Sequence, residues 1–162
     1  MRAMQSFLLA LCVLAAAVNA VAQELQPFVS GSIREIAASR QGKPFILGLW
    51  SLTCTHCRDE LSMLSGLKKK YPELDLVLVS TDTPADRAEI LASLQQLALG
   101  HVQAWVFADD FAERLRFEID PKWHGELPRT YLYGASGVHA FSGKPDPLKL
   151  EHWIGAALSQ LK

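Results

Sequence analysis

The sequence is poor in cysteine and has no excess of charge of either sign. It contains three cysteines in 162 residues, and its formal net charge is −1. Recognition of nucleic acid or of an anionic membrane requires a basic excess, so we expect neither kind of partner. The sequence also has no internal repeat, low-complexity segment or interdomain linker. Its length and even composition therefore predict one globular domain.

The amino terminus differs from the rest of the chain in composition. Arg2 is the only charged residue among residues 1–22, an apolar run covers residues 7–18, and residues 20–22 fit a small-x-small cleavage pattern. We predict that residues 1–22 are a secretory signal peptide and that the domain, residues 23–162, is periplasmic or otherwise exported. The apolar run is shorter than the roughly 20 residues that span a bilayer, so no stable membrane insertion is expected after cleavage. A buried N-terminal helix and an uncleaved anchor are the alternatives.

Two cysteines remain once this signal is removed. Cleavage would also remove Cys12 and leave Cys54 and Cys57. Export places these thiols in an oxidising compartment, where thiols tend to pair. A bridge between residues three apart constrains little of the unfolded chain, because the stabilisation by a disulfide grows with the length of the loop that it closes. The pair therefore favours a redox role over a structural one.

The hydrophobic pattern predicts an α/β fold with a mixed central sheet and helices on both faces. Residues 45–50 are apolar on both alternating faces, as in a strand that is covered on both sides. A helix over 58–70 and a strand over 74–80 complete a βαβ unit, whose crossover should be right-handed. The other predicted elements are a lead-in over 23–32, helices over 33–39, 85–99, 109–117 and 148–161, a strand over 102–107, an irregular stretch over 119–126, and an antiparallel hairpin with strands over 130–133 and 138–142.

The motif Cys54-Thr55-His56-Cys57 lies where a predicted buried strand ends and a helix begins. The first N–H groups of a helix have no internal partner and the dipole there is positive, so both stabilise a thiolate. Such sites lower the pKa of cysteine from about 8.5 to roughly 3.5–7.5. We expect Cys54 to be the exposed nucleophile and Cys57 to be the resolving thiol. A CxxC between a strand and a helix in a βαβ unit is a strong redox signal.

Metal and haem sites explain the motif less well. Zinc usually takes four ligands, and no second cysteine pair exists. The histidines are scattered along the chain, at His56, His101, His124, His139 and His152. Haem attachment needs a histidine directly after the second cysteine, where this sequence has Arg58. We therefore expect neither a metal nor an organic cofactor in the redox site.

The chain resembles the TlpA/ResA-like branch of the thioredoxin superfamily, from Phe28 to Lys162. The segments that carry the resemblance are the strand 45–50 entering CxxC, Arg58-Asp59-Glu60 after it, Leu76–Asp82, Gly125–Leu132 and the turn Gly134–Gly137. The resemblance implies the thioredoxin fold and an exported thiol–disulfide oxidoreductase. Its partners would be protein thiol or disulfide substrates and a redox donor protein, and many members are reductants in cytochrome c maturation.

The resemblance also assigns roles to residues around the cysteines. Pro128 matches a cis-proline that faces the disulfide and exposes the backbone of Leu127 to an extended partner segment; the alternative is an ordinary loop proline. Glu60 matches an acid that tunes the cysteine pair, with a solvated surface acid as the alternative. A partly protonated His56 would stabilise the Cys54 thiolate, unless its side chain is exposed and without effect.

The sequence departs from the related proteins at four positions. Thr53 replaces a tryptophan, Gly48 replaces the buried acid of thioredoxins, Ser62 replaces a helix-kinking proline, and Arg129 stands where a small or hydroxyl residue is commoner. None of these changes removes the thiol chemistry. Together they leave the partner and the reduction potential open.

Three other functions remain open from the sequence. His56 and the missing acid at Gly48 favour a more oxidising pair, and hence a disulfide oxidant, whereas the resemblance favours a reductant. A copper-binding module would use Cys54, Cys57 and one histidine as soft ligands. A non-catalytic binding module with an inert disulfide is the third possibility.

Overall fold

Residues 23–161, the part of the chain that the computed structural model describes, form six strands and five α-helices. The predicted signal peptide, residues 1–22, lies outside the described residues. The elements in chain order are β1 (Leu25–Phe28), α1 (Ser32–Ser39), β2 (Phe45–Trp50), α2 (Cys57–Lys70), β3 (Leu76–Ser80), a 3₁₀ turn (Pro84–Asp86), α3 (Arg87–Gln96), β4 (Gln103–Phe107), α4 (Ala112–Ile119), β5 (Arg129–Gly134), β6 (Gly137–Ser142) and α5 (Pro147–Ser159).

The strands form one mixed sheet in the order β1-β4-β3-β2-β5-β6. The first four of these are parallel, β5 runs antiparallel to β2, and β6 runs antiparallel to β5. The tight turn between Gly134 and Gly137 joins the last two strands, as the sequence predicted. The prediction of a mixed central sheet is confirmed.

Two hydrophobic cores lie on opposite faces of the sheet. Every residue of β2 is buried, because helices cover both sides of this strand. Its Ile46 and Trp50 belong to a core with α2, α3 and α5, while Leu47 and Leu49 belong to the other core, with α1 and α4. The alternation of a strand sends neighbouring side chains to opposite faces, so one apolar run serves both cores.

The predicted lead-in was wrong, because residues 23–32 contain the edge strand β1. Leu25 and Phe28 are buried, and the strand pairs in parallel with β4. The strand is four residues long and includes Pro27, which is tolerated at a sheet edge but hides the strand pattern. The helix predicted over 85–99 is also shorter in the structure. A 3₁₀ turn occupies Pro84–Asp86, and the α-helix α3 covers only Arg87–Gln96. Within residues 23–161, no helix is both long enough and apolar enough to cross a membrane.

Candidate functional site

The two cysteines lie at the carboxyl end of β2 and are joined by a disulfide. Cys57 is the first residue of α2, and the two Cα atoms are 5.4 Å apart. Cys54 is partly exposed, whereas Cys57 is only 1% exposed and belongs to the core beneath α2. The more exposed position of Cys54 and the burial of Cys57 agree with the predicted arrangement, whereas their roles as nucleophile and resolving thiol stay a prediction.

The loop that leads into Cys54 is tied to the neighbouring strand by a carboxylate. Asp82 Oδ2 accepts hydrogen bonds from the Leu52 N–H at 2.9 Å and from Ser80 Oγ at 2.6 Å. The Cys54 N–H in turn donates to the carbonyl of Ser51 at 3.3 Å. The sequence did not predict a role for Asp82, because this contact joins residues thirty positions apart. The tie fixes the path of the chain immediately before the nucleophile.

His56 occupies the position directly before α2 and is exposed. Its carbonyl accepts a hydrogen bond from the Glu60 N–H at 3.3 Å. His56 follows Cys54 by two residues in the chain. Its influence on the Cys54 thiolate stays a prediction.

Glu60 is buried one helical turn beyond Cys57. It is 1% exposed, and Thr130 Oγ1 on β5 donates a hydrogen bond to Glu60 Oε1. Burial raises the pKa of Glu60 to about 7, although the Thr130 hydrogen bond and the positive charge of Lys144 act to lower it. The alternative of a solvated surface acid is therefore wrong. The spacing of Cys57, Glu60 and Leu64 on α2 contained this signal, because residues at i, i+3 and i+7 share one face of a helix.

Gly48 occupies the position on β2 where thioredoxins have a buried acid, whereas the buried acid of this protein, Glu60, lies on α2. Gly48 pairs with Thr130 across the sheet. A Cβ at position 48 would lie 3.0 Å from Leu78 Cδ2 and 3.5 Å from Leu64 Cδ1, so the strand has no room for a carboxylate there. The acid that is absent from position 48 is thus supplied to the same face of the sheet by Glu60.

This arrangement predicts that Gly48→Asp lowers the free energy of unfolding by about 3 kcal/mol. The substitution would displace the Leu78 side chain and would bury a second carboxylate near Glu60. Gly48→Ala is the matched control, since it adds the steric contact without the charge and should cost less, about 1 kcal/mol. Urea unfolding of both variants measures the difference. Equal losses would mean that the site excludes bulk alone and not a second acid.

Leu127 and Pro128 lie beside residues 51–56, the cysteine loop that joins β2 to α2. The Leu127–Pro128 peptide bond is cis. Because Leu49 pairs with Arg129, the antiparallel register places Pro128 alongside Trp50, at the end of β2 and just before the cysteine loop. Within residues 23–161, the backbone N–H and carbonyl of Leu127 have no hydrogen-bond partner, whereas the Pro128 carbonyl accepts from the Gly143 N–H at 2.9 Å. Leu127 thus has an unpaired peptide edge in the segment that lies alongside the end of β2, where the loop to the cysteines begins.

The described part of the chain contains no group of three or more His, Cys, Asp or Glu side chains placed to hold a metal ion. A copper site built from Cys54, Cys57 and a histidine therefore lacks an assembled third ligand among residues 23–161. The site residues predicted from the sequence lie around the cysteine loop, at the end of the sheet where β2 ends: Cys54, His56, Cys57, Glu60, Leu127 and Pro128.

Comparison with known proteins places the fold. No family model and no curated protein matches the chain. A secreted disulfide oxidoreductase from Mycobacterium tuberculosis, homologous to E. coli DsbE, aligns with a TM-score of 0.57 and 22% identity over 74% of this chain and 85% of that one. A thioredoxin-family thiol:disulfide interchange protein from Chlorobium tepidum gives 0.58 and 16% over 75% and 84%. A DsbF homologue from Corynebacterium diphtheriae gives 0.55 and 15% over 74% and 75%.

These structures share the fold with this chain at low sequence identity. The likeness confirms the thioredoxin fold that the sequence resemblance implied. What the chain does must be argued from its own residues, because one fold supports many functions.

Proposed function

We propose that this protein is an exported thiol–disulfide oxidoreductase that exchanges electron pairs with partner proteins through Cys54 and Cys57. The observation that carries the proposal is the arrangement of one partly exposed and one buried cysteine at the start of α2, beside the unpaired backbone of Leu127. A partner segment that pairs with Leu127 would have its own sulfur held close to Cys54. Edge pairing of this kind is a recurrent way to bind extended peptides.

The exchange proceeds in two balanced steps. In the reduced protein, the Cys54 thiolate attacks one sulfur of a partner disulfide, whose S–S bond breaks and releases the other partner sulfur as a thiolate that takes up a proton. Cys57 then loses its proton and attacks Cys54 Sγ. The bond between Cys54 and the partner breaks, the second partner sulfur leaves as a thiolate that takes up a proton, and the Cys54–Cys57 disulfide forms. The partner gains two electrons and two protons, and a redox donor protein must return them to the cysteine pair.

Glu60 is placed to handle the proton of the second step. It lies one helical turn from Cys57, and burial raises its pKa to about 7. A carboxyl group with this pKa exchanges protons readily near neutral pH, so we assign Glu60 as the acceptor of the Cys57 proton. His56, next to the nucleophile, is assigned to stabilise the Cys54 thiolate.

The buried carboxylate favours the direction of a reductant. A negative charge near Cys57 disfavours its thiolate and so disfavours the reduced pair, which makes the protein a better electron donor. The missing acid at Gly48 favoured an oxidant, but Glu60 supplies a buried acid in its place. A role in cytochrome c maturation is the specific form that the resemblance suggests, with disulfide oxidation as the alternative that His56 favours.

Redox titration of the protein against glutathione buffers, together with reduction of insulin by dithiothreitol, tests the proposal. We expect a reduction potential near that of thioredoxin, about −270 mV, and catalysed insulin reduction. A value near about −120 mV would identify an oxidant instead. A pair that does not titrate, or no catalysis of insulin reduction, would refute the oxidoreductase function. The exported protein should begin at Gln23 when its amino terminus is sequenced.

A further inference from the structure

The guanidinium of Arg129 is buried at the start of β5 and is surrounded by polar partners. Its Nε donates to the Tyr131 hydroxyl at 3.0 Å, one terminal nitrogen donates to Glu126 Oε1 at 3.2 Å and to Ser142 Oγ, and the other donates to Asp120 Oδ2 at 2.8 Å. The side chain is 10% exposed. A planar fork with several donors can hold this many groups at once, which a lysine cannot.

Three of the four hydrogen-bond partners of Arg129 lie outside β5, the strand that holds Arg129 and Tyr131. Asp120 directly follows α4, Glu126 lies near the end of the loop that leads to β5, and Ser142 is the last residue of β6. One side chain therefore joins both ends of the segment 120–126 to the end of the β5–β6 hairpin. We call this segment the 120–126 loop.

The 120–126 loop also has three internal hydrogen bonds, of which two are accepted by the carboxylates of Asp120 and Glu126 and one by the Glu126 backbone. Trp123 Nε1 donates to the Glu126 carbonyl at 2.8 Å, and the His124 N–H donates to Glu126 Oε2 at 3.2 Å. The Lys122 N–H donates to Asp120 Oδ1 at 2.9 Å. Each carboxylate thus bridges Arg129 and the backbone of the loop, so the loop has a defined shape before any partner binds.

We call Arg129 and the two acids that it binds, Asp120 and Glu126, the clamp. In the sequence, residues of the clamp flank Leu127 and its unpaired peptide edge on both sides. Glu126 precedes Leu127, and Arg129 follows Pro128, so the guanidinium closes a short ring of chain around these two residues. In related proteins a small or hydroxyl residue is commoner at position 129. The hydrogen bonds that the Arg129 guanidinium makes give a structural reason for this difference. Its side chain reaches the face of the sheet opposite Glu60, because Arg129 and Thr130 are neighbours on one strand.

We propose that Arg129 is a positioning residue for protein substrates, which holds the Glu126–Pro128 segment in the shape that pairs with an extended partner segment. The proposal rests on the oxidoreductase function given above and concerns recognition alone. Among the described residues, the side chain of Arg129 donates hydrogen bonds to Tyr131, Glu126, Ser142 and Asp120 and to neither cysteine, so the chemistry of Cys54 and Cys57 should not depend on it. The proposal predicts that loss of the Arg129 guanidinium weakens the binding of protein substrates that pair with Leu127 and leaves small substrates unaffected.

Removal of the guanidinium would release the 120–126 loop. Partial burial acts to raise the pKa of Asp120, yet the hydrogen bonds from the Lys122 N–H and from Arg129 outweigh it and lower that pKa. Without Arg129, two carboxylates would stay close together with no cation between them, and their repulsion would open the loop. A mobile loop must be ordered again on binding, which weakens affinity.

Arg129→Gln is compared with Arg40→Gln as a matched control. The Arg40 side chain is also 10% exposed, and it donates to Asp75 at 3.1 Å and to Gln103 at 2.7 Å. These partners lie at the opposite end of the sheet, where β3 and β4 begin. The control therefore removes an equally buried guanidinium that also binds partners from two elements but is remote from the cysteines.

Insulin serves as the protein substrate and 5,5′-dithiobis(2-nitrobenzoate) as a small disulfide that needs no peptide edge. For Arg129→Gln we expect the KM for insulin to rise about tenfold, equivalent to about 1.4 kcal/mol, with an unchanged rate on the small disulfide and an unchanged reduction potential. Hydrogen exchange of the Trp123 indole N–H should become faster in Arg129→Gln. In Arg40→Gln all of these quantities should equal those of the wild type.

Several results would overturn the proposal. These are an unchanged KM for insulin, an equal loss on insulin and on the small disulfide, or unchanged exchange at Trp123. If Arg129→Gln does not fold, Glu126→Gln removes one arm of the clamp and should raise the KM in the same selective way; an unaltered KM there would also reject the clamp. A wild-type protein that reduces neither substrate would refute the oxidoreductase function. Hydrogen exchange of the Trp123 indole N–H in Arg129→Gln would still show whether Arg129 orders the 120–126 loop.

Discussion

A Cys57→Ser variant is expected to stop at a mixed disulfide between Cys54 and its substrate, with turnover reduced to the uncatalysed rate. The structure gives the reason, because Cys54 is partly exposed whereas Cys57 is 1% exposed. Without the Cys57 thiol, nothing within the site can attack Cys54 Sγ and release the partner. Non-reducing electrophoresis and mass spectrometry of the reduced variant mixed with insulin would detect the adduct.

Cys54→Ser is the control for this experiment. It retains a thiol at the buried position and should form no adduct with insulin. An adduct through Cys57 in this variant would reverse the roles of the two cysteines. Sustained turnover by Cys57→Ser would mean that a second substrate thiol resolves the intermediate, in contradiction to the two-step scheme.

The second large effect concerns Glu60 and the dependence of stability on pH. Burial raises the pKa of Glu60 in the folded protein from its ordinary value of 4.5 to about 7. A raised folded-state pKa gives a contribution to stability that is complete below the unfolded-state pKa and is lost as the pH rises through the folded-state pKa. Each unit of difference between the folded-state and unfolded-state pKa corresponds to about 1.4 kcal/mol. The pKa of Glu60 differs by more than two units between the two states, so the total loss of stability is about 3 kcal/mol. Glu60→Gln carries no titrating group and should escape this loss.

We therefore expect the free energy of unfolding of Glu60→Gln to gain about 3 kcal/mol relative to wild type between about pH 4 and pH 8. Urea unfolding of the oxidised proteins across this range measures the difference. Glu113→Gln is a suitable control, because the Glu113 side chain is 83% exposed and should give a curve parallel to wild type. Parallel curves for Glu60→Gln as well would mean that Glu60 is ionised at an ordinary pH in the folded protein.

The core of the fold could be predicted because its signals are local. The apolar run 45–50, the helix after Cys57 and the tight turn after Gly134 each specify an element without reference to distant residues. β1 was missed because a strand of four residues containing Pro27 has too little pattern, and its pairing with β4 depends on residues nearly eighty positions away. Long-range pairing supplies the stability of such a strand, and a local pattern does not report it.

The site was predictable to the same extent. The cysteines, Glu60 and Pro128 stand at fixed positions in recognisable segments. The contacts of Asp82 and Arg129 could not be derived in this way, since each joins elements that only the folded sheet brings together. The burial of Glu60 could have been inferred from helical spacing, but an acid on an apolar face contradicts the ordinary preference of carboxylates for water.

The short separation of Cys54 and Cys57 has a consequence for the energetics of the whole chain. The two residues are three positions apart, so opening or closing their bond changes the freedom of the unfolded polypeptide little. In the thermodynamic cycle that links folding and reduction, any difference in unfolding free energy between the two redox forms then arises mainly from the folded molecule. A fold that is more stable with the bond closed is driven to give its electrons away, and one that is more stable with free thiols is driven to take them.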